Sequence, residues 1–243
     1  MNIRILGLNG PYPTARGACS GYLVSQGEDR VLMDCGPGVL ARLTARTDPA
    51  SLKAVLLSHG HGDHCSDMIS LRYYMDIRRQ QDSLPPLDVY APYDDASPVL
   101  QFLAASDSLR MHWIKAGDAV KAGSLSILCG PARHPVPAVG FRAGAFGYTG
   151  DTNTMPELAG FYKGTELLLA DGCFLKEQWR IEAPHLSAFK AAELARDAGA
   201  GRLVVTHLRP DVDAAALLAQ ARAVFENTEL AKEEMLYTVD GGK

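Results

Sequence analysis

Short apolar runs along the chain end abruptly in polar residues that can bind metal ions or protons. Five such runs, AVLL, LSIL, FGY, ELLLA and RLVV, lead to His59, His134, Asp151, Asp171 and His207. Runs of about four to eight apolar residues that are rich in Val and Leu and bounded by Gly or Pro are typical of buried strands. We therefore expect each polar side chain near the C-terminal end of a strand, where sheet proteins commonly place functional loops.

Segments with helical spacing alternate with these strands. One begins at Cys65, and another, SAFKAAELARDAGAG, has Ser187 as a predicted N-cap and Gly199 or Gly201 as its end. A third helix is predicted from Asp213, and the final MLYTV reads as a closing strand. Because strands and helices mix throughout, the pattern predicts an α/β or α+β fold in which helices cover the sheet faces.

The composition narrows the class of protein. The 243 residues are 47% hydrophobic, which is enough for a sizeable core in one large domain or two small ones. The net charge of −4 gives no support to non-specific nucleic-acid binding, which needs an excess of Lys and Arg. No apolar run approaches the roughly 20 residues that span a bilayer, so no membrane partner is expected.

The N-terminus and the cysteines predict a cytoplasmic protein. MNIRILGLNGPYP lacks the long apolar segment and the small-residue cleavage site of a signal peptide, and it is predicted as a first strand. The five cysteines are odd in number and form no C-x-x-C pair. We expect them to be small buried residues in a reducing compartment.

The segment SHGHGDH, residues 58–64, concentrates the chemistry of the chain. It holds three of the seven histidines together with Asp63. Neutral imidazole binds zinc at about 2.0–2.1 Å, and a carboxylate oxygen binds at a similar distance. Gly60 and Gly62 allow the sharp turn that brings several ligands to one ion. Because the segment joins a predicted strand to a predicted helix, we interpret it as a metal-binding loop and not as a surface loop that happens to contain histidines.

The remaining histidines support this interpretation. His134, His185 and His207 also fall at predicted strand ends or helix starts. His112, in RMHWIK, has no such position, and we interpret it as a structural or surface residue.

The chain resembles the metallo-β-lactamase superfamily. HGHGDH resembles the H-x-H-x-D-H signature of that family, and similar matches follow along the chain at VLMDCGPG (31–38), His134, YTGDT (148–152) and VVTHL (204–208). The resemblance implies a four-layer αββα sandwich with two metal ions at the sheet edge. It also implies that residues 1–243 form a single hydrolase domain.

Carried over by position, the resemblance implies the ligands of two divalent ions. The first ion would be bound by His59, His61 and His134, the second by Asp63, His64 and His207, and Asp151 would bridge the two. Asp63 would have a second, catalytic role, in which it orients the water or takes its proton. Zinc is the expected metal, although Mn and Fe accept the same ligands.

Residues 184–208, PHLSAFKAAELARDAGAGRLVVTHL, resemble the ribonuclease Z-like branch of the superfamily. There, a histidine followed by Ser or Thr precedes an Ala-rich helix and assists phosphodiester cleavage. His185 would therefore contact the substrate and protonate the leaving oxygen or stabilise the transition-state charge. The alternative role for His185 is to cap the helix.

Three departures from that branch bear on the function. The tRNA-processing members carry a long arm between the third-histidine and bridging-aspartate motifs, but His134 and Asp151 are only 17 positions apart. Asp171 stands where the family often has a longer glutamate, which leaves the contacts of that carboxylate open. Arg209 occupies a position that is often serine, where it would contact a phosphate or stay solvated on the surface.

We therefore expect a dinuclear metal-dependent phosphodiesterase that acts on a small substrate such as a cyclic nucleotide, without a stable nucleic-acid partner. A lactonase or thioester hydrolase of the same fold would use the same metals without needing His185. A β-lactamase is less favoured, because no signal peptide is expected. A metal-binding or scaffold protein without turnover is the alternative from another class. The resemblance also suggests a homodimer.

Overall fold

Two mixed β-sheets form the centre of the protein in the computed structural model, which describes residues 1–240. The first sheet has the order β14-β1-β2-β3-β4-β5-β6 and the second the order β13-β12-β11-β10-β9-β8-β7. Helices flank both sheets, so the predicted αββα layering is confirmed. The last three residues of the predicted domain, 241–243, lie outside the described part of the chain.

The strands of the first sheet are β1 (Asn2–Gly7), β2 (Gly21–Gln26), β3 (Asp29–Met33), β4 (Ala54–Leu56), β5 (Leu87–Pro92), β6 (Leu109–Ile114) and β14 (Leu236–Thr238). Those of the second are β7 (Ala119–Ala122), β8 (Leu125–Pro131), β9 (Val139–Ala143), β10 (Phe146–Tyr148), β11 (Leu167–Asp171), β12 (Arg202–Thr206) and β13 (Thr228–Leu230). The helices are α1 (Val39–Thr44), α2 (Gly62–Cys65), α3 (Asp67–Asp82), α4 (Pro98–Ala104), α5 (Glu157–Phe161), α6 (Ala188–Ala198) and α7 (Ala214–Arg222), with a 3₁₀ turn at Pro49–Ser51.

Alternation along the strands divides the core into layers. In β1, Ile3 and Ile5 point into the space between the sheets, whereas Leu6 faces the layer of α1, α3 and α4. Successive side chains of a strand point to opposite faces, so one strand supplies both layers. On the far side, α6 buries a face of small residues, including Ala191 and Ala195, against β11 and β12.

The direction of the strands determines where the site forms. Strands β3 to β6 run parallel to one another, as do β10 to β13. The C-terminal ends of the strands in each parallel set therefore share one edge. Strands β4, β10 and β12 lead into the loops that contain His59, Asp151 and His207, and β11 ends at Asp171. The strand-end placement predicted from these apolar runs is therefore confirmed.

Local signals in the sequence place several helix ends. The Ser187 hydroxyl accepts a hydrogen bond from the Lys190 backbone N–H, and Gly199, with a φ of 63°, is the C-cap that follows α6. The helix predicted from Cys65 begins instead at Asp67, because the short α2 ends at Cys65. All five cysteines are free and buried, as expected. Within residues 1–240, no helix combines the length and apolarity needed to cross a membrane.

Candidate metal centre

Three histidines from two loops converge at one end of the sandwich. His59 follows β4, His61 immediately precedes α2, and His134 lies in the loop after β8. His61 Nδ1 lies 3.1 Å from His59 Nε2 and 3.1 Å from His134 Nε2. Two nitrogens bound tetrahedrally to one zinc ion lie about 3.3 Å apart. The three ring nitrogens therefore have the spacing of one metal-binding half-site.

A second group lies directly beside the first. Its members are Asp63, His64, Asp151 and His207, of which the last three are buried and the Asp63 side chain is 11% exposed. His207 Nε2 lies 3.1 Å from Asp63 Oδ2 and 3.4 Å from Asp151 Oδ2. Asp151 Oδ1 is 3.2 Å from His64 Nε2, and its Oδ2 is 3.6 Å from His59 Nε2. The Asp151 carboxylate thus lies between the two groups, where a bridging ligand would be.

Polar atoms left without a partner indicate that this cluster suits cations. Within residues 1–240, His64 Nε2 and Asp151 Oδ1 are buried and accept or donate no hydrogen bond, although they face each other. Buried polar atoms are normally satisfied, because an unpaired one is costly. A cation between them would satisfy both, and the imidazole and carboxylate donor set is the one that zinc, manganese and iron accept.

Hydrogen bonds fix the ring orientation of three of these histidines. The His59 Nδ1–H donates to the Ser58 hydroxyl at 3.0 Å, and the His134 Nδ1–H donates to the Pro184 carbonyl at 3.1 Å. The His64 Nδ1–H donates to Asp34 at 2.8 Å. Since Nδ1 is the protonated atom in each ring, the Nε2 lone pair faces the centre, as metal binding requires.

The electrostatics of the cluster favour neutral rings at His59 and His134 and an ionised carboxylate at Asp151. Burial alone would lower the pKa of His64, but the charges of Asp151 and Asp34 outweigh it and raise that pKa well above its ordinary value, so a metal ion at Nε2 would displace a proton. Burial lowers the pKa of His59 well below its ordinary value and also lowers that of His134. Burial opposes ionisation of Asp151, but the neighbouring His207 and His64 rings outweigh it and hold the pKa of Asp151 well below the usual range. Neutral imidazole and ionised carboxylate are the forms that bind metal ions.

Asp34 is a site residue that the sequence analysis missed. Its buried carboxylate accepts hydrogen bonds from Ser58 N at 2.7 Å, Ser58 Oγ at 2.8 Å, Tyr148 OH at 2.6 Å and the His64 ring. Four donors from three residues therefore hold one carboxylate, which in turn orients His64. The signal was present in the sequence, because Asp34 also ends an apolar run, RVLM.

His185 borders both groups of ligands. Its Nδ1–H donates to Asp171 Oδ2 at 2.9 Å, and its ring centroid is 4.8 Å from that of His207 and 5.4 Å from that of His134. Burial alone would lower the pKa of His185, but the charge and hydrogen bond of Asp171 outweigh it and raise that pKa to about 9. The contact that the sequence left open for Asp171 is therefore present despite the shorter side chain.

Two other polar residues singled out by the sequence lie apart from this cluster. The Arg209 guanidinium forms an ion pair with Asp211, with Nε 3.0 Å from Oδ1, and lies over the Phe174 ring at 5.7 Å. Its contact with a phosphate stays a prediction. The His112 Nε2–H donates to Asp88 Oδ1 at 2.8 Å and the ring stacks on Tyr90, which agrees with the structural role expected for it.

Gly10 is a second residue that the sequence analysis missed. The loop after β1 packs over His207, and the Gly10 N–H donates to the Leu208 carbonyl at 3.2 Å. A Cβ at position 10 would lie 2.0 Å from His207 Nε2. Only glycine fits here without moving the imidazole, and no local pattern in the sequence reveals this, because the two residues are far apart in the chain.

Two adjoining His/Asp clusters at the edge of an αββα sandwich define a metallo-hydrolase architecture. The family is the β-lactamase superfamily: its domain profile matches residues 29–208, and the chain belongs to it. The chain is a metallo-hydrolase of this superfamily with a candidate metal-binding His/Asp cluster.

Three known proteins illustrate the similarity. "Probable metallo-hydrolase YhfI" of Bacillus subtilis is 29% identical over 86% of this chain and 87% of its own, and a crystal structure of YhfI superposes with a TM-score of 0.91 at 27% identity, covering 97% and 98% of the two chains. Ribonuclease Z of Archaeoglobus fulgidus is 26% identical over 96% of each chain. A diphosphatase of the PhnP family has a TM-score of 0.81 at 18% identity over 99% and 98%, a likeness of fold alone.

Proposed function

We propose that the protein is a dinuclear metal-dependent phosphodiesterase that acts on a small substrate. The observation that carries this proposal is the His185–Asp171 pair beside the seven candidate ligands. His185 also lies within ligand distance of His134 and Asp151, but the seven residues would complete both half-sites without it. A positioned acid next to the cluster is what the departure of a poor alkoxide leaving group requires. The names of two similar proteins, a ribonuclease and a diphosphatase, are in keeping with phosphate-ester substrates.

Each residue has a defined task in the proposed reaction. Two divalent cations supply such a site with a water that ionises near neutral pH and with neutralisation of phosphoryl charge. His59, His61 and His134 would hold one, Asp63, His64 and His207 the other, and Asp151 would contact both. Asp63 would also accept a hydrogen bond from the attacking water or take its proton. His185, kept protonated by Asp171, would donate a proton to the leaving oxygen.

Removal of His185 tests the proposal. We expect His185→Ala to keep near-normal metal content and fold, because the ring is outside both half-sites. Its turnover of an alkyl phosphodiester should fall by about 10²–10⁴-fold, the usual cost of losing a positioned acid. The loss should be much smaller for a nitrophenyl phosphodiester, because nitrophenolate departs without a proton. Turnover of both substrates is measured with metal content determined on the same samples.

His112→Ala is the matched control, because His112 also pairs with a carboxylate at 2.8 Å but belongs to the surface of β5 and β6. It should leave both rates unchanged. Equal rates for His185→Ala and wild type on both substrates would contradict the role of His185. Preferential turnover of a lactone or thioester would favour those hydrolase classes instead, and tight metal binding without turnover of any ester would favour a binding protein.

A further inference from the structure

A cleft lined by two exposed aromatic side chains lies at the same end of the first sheet as the metal centre. Tyr93 follows β5, and Trp113 lies on the edge strand β6. Their rings meet edge to face with centroids 5.2 Å apart, and 62% of Tyr93 and 43% of Trp113 are exposed. Together with Lys115, Pro137 and Ala138 they line a space of about 470 Å³, which we call the aromatic cleft.

The walls of the aromatic cleft are joined to the metal-binding loop. On one side, the Val139 N–H donates to the Ser58 carbonyl at 2.9 Å, and Ala138 forms an isolated antiparallel bridge with His59. On the other side, the Ser97 hydroxyl, in the loop after β5, donates to the Gly60 carbonyl at 3.0 Å. The two sites are therefore parts of one loop assembly.

Strand spacing gives the distance between the two sites. Strand β5 lies between β4, which leads to His59, and β6, which carries Trp113. Neighbouring strands are about 4.8 Å apart, so the cleft is displaced from the metal-binding loop by roughly 10 Å along the sheet edge. A phosphodiester whose phosphorus lies between the two half-sites reaches that far with a substituent the size of a nucleoside.

The side chains that line the aromatic cleft indicate which chemical group of a phosphodiester would bind there. Aromatic side chains offer π-faces on which a planar base stacks, whichever base it is. Lys115 and Asp118 also line the cleft, and the Lys115 ammonium can donate to a heterocycle oxygen or nitrogen. We propose that the aromatic cleft binds the planar heteroaromatic group of the substrate, which makes a nucleotide-like phosphodiester the substrate class. This inference rests on the proposed function.

Binding of two matched phosphates tests the cleft without turnover. Adenosine 5′-phosphate and ribose 5-phosphate share the phosphate and the sugar and differ only in the base. We expect the metal-loaded protein to bind the adenosine compound at least about ten-fold more tightly, since stacking on aromatic side chains contributes that much or more. Trp113→Ala should reduce the preference to about two-fold or less, and Trp113→Phe should largely restore it. Calorimetry measures both affinities for each protein.

Tyr73→Ala is the control, because Tyr73 is an equally exposed aromatic residue on α3 outside the cleft. It should keep the full preference for the base. An equal affinity of wild type for the two phosphates would overturn the proposed role of the aromatic cleft, and so would a preference for the base that survives in Trp113→Ala. Phosphodiester turnover would still support the proposed function in either case. A change of oligomeric state in Trp113→Ala without loss of base preference would also overturn it. Base-dependent binding without turnover of any phosphodiester would contradict the proposed function alone.

Discussion

At the scale of single residues, two buried carboxylates each fix one imidazole ring at the centre. Asp34 orients the ligand candidate His64, and Asp171 orients the acid candidate His185. Both carboxylates raise the pKa of the ring that they hold. The two rings differ in position, because His64 Nε2 faces Asp151 as a ligand candidate, whereas His185 lies beside the seven candidate ligands.

Replacement of Asp171 by Asn should shift the pH dependence of turnover. Asp171 raises the pKa of His185 to about 9, so the imidazolium is present at neutral pH and is lost as the pH rises through that value. Without the carboxylate charge, burial lowers that pKa. We expect the alkaline limb of kcat/KM for an alkyl phosphodiester to move to lower pH by about one unit or more.

Bound metal ions act on His185 in both proteins, so the difference between the two profiles isolates the effect of the carboxylate. The nitrophenyl phosphodiester is the internal control, because its leaving group needs no proton. An alkaline limb at the same pH in wild type and Asp171→Asn would show that His185 does not act as the acid.

Substitution of Gly10 by Ala should damage one half-site and leave the fold intact. The added methyl would lie 2.0 Å from the His207 ring, so the ring must move away from Asp63 and Asp151. We expect wild type to bind about two metal ions per chain and Gly10→Ala to bind about one, with most turnover lost. Metal content by elemental analysis checks this. Gly160→Ala, where a Cβ meets no atom within 4 Å, should behave as wild type, and full metal content in Gly10→Ala would contradict the steric argument.

At the scale of elements, the sequence predicts the strands and helix ends that depend on interactions between neighbouring residues. Apolar runs located β4, β10, β11 and β12 and therefore the loops that carry most candidate ligands. The N-cap Ser187 and the glycine after α6 were equally local signals. The packing of Gly10 on His207 and the meeting of Tyr93 with Trp113 were not predicted, because each joins residues from separate elements whose contact arises only when the sheets assemble.

The start of α6 couples helix stability to the position of His185. Ser187 caps the helix two residues after His185, and Asp213 caps α7 by accepting from Ala215 N and Ala216 N. We expect Ser187→Ala and Asp213→Ala each to lower the free energy of unfolding by about 0.5–2 kcal/mol in urea titrations. Only Ser187→Ala should also slow turnover of an alkyl phosphodiester, because a frayed α6 releases the His185 loop. Equal effects of both variants on turnover would show that Ser187 stabilises α6 but does not position His185.

At the scale of the whole molecule, the centre exists only where the two sheets meet. Asp63 and His64 belong to the first half of the chain and Asp151 and His207 to the second, and they come within 3.1–3.7 Å of one another. The core between the sheets, with residues such as Ile3, Phe141 and Val204, fixes that juxtaposition. Loss of packing between the sheets should therefore affect metal binding before it affects either sheet alone.

The short segment between His134 and Asp151 bears on which substrates the metal centre can bind. Between His134 and Asp151 the chain forms only β9 and β10, which are joined by the two residues 144 and 145. The long arm carried at this point by the tRNA-processing proteins that the sequence resembles is thus absent from this segment. A net charge of −4 provides no general attraction for a polyanion.

We therefore predict that the protein does not process precursor tRNA efficiently. Binding to the phosphate backbone depends on many cationic contacts and weakens steeply with salt, so the test is best made at low salt, where binding is favoured most. The same metal-loaded preparation should hydrolyse small phosphodiesters and yet leave the 3′ end of a precursor tRNA uncleaved in a gel assay. Accurate cleavage at that end, with a tight complex that salt dissociates, would contradict the prediction. In that case other surfaces of the protein would bind the tRNA in place of the arm. Those surfaces, and not the aromatic cleft, would then determine the substrate.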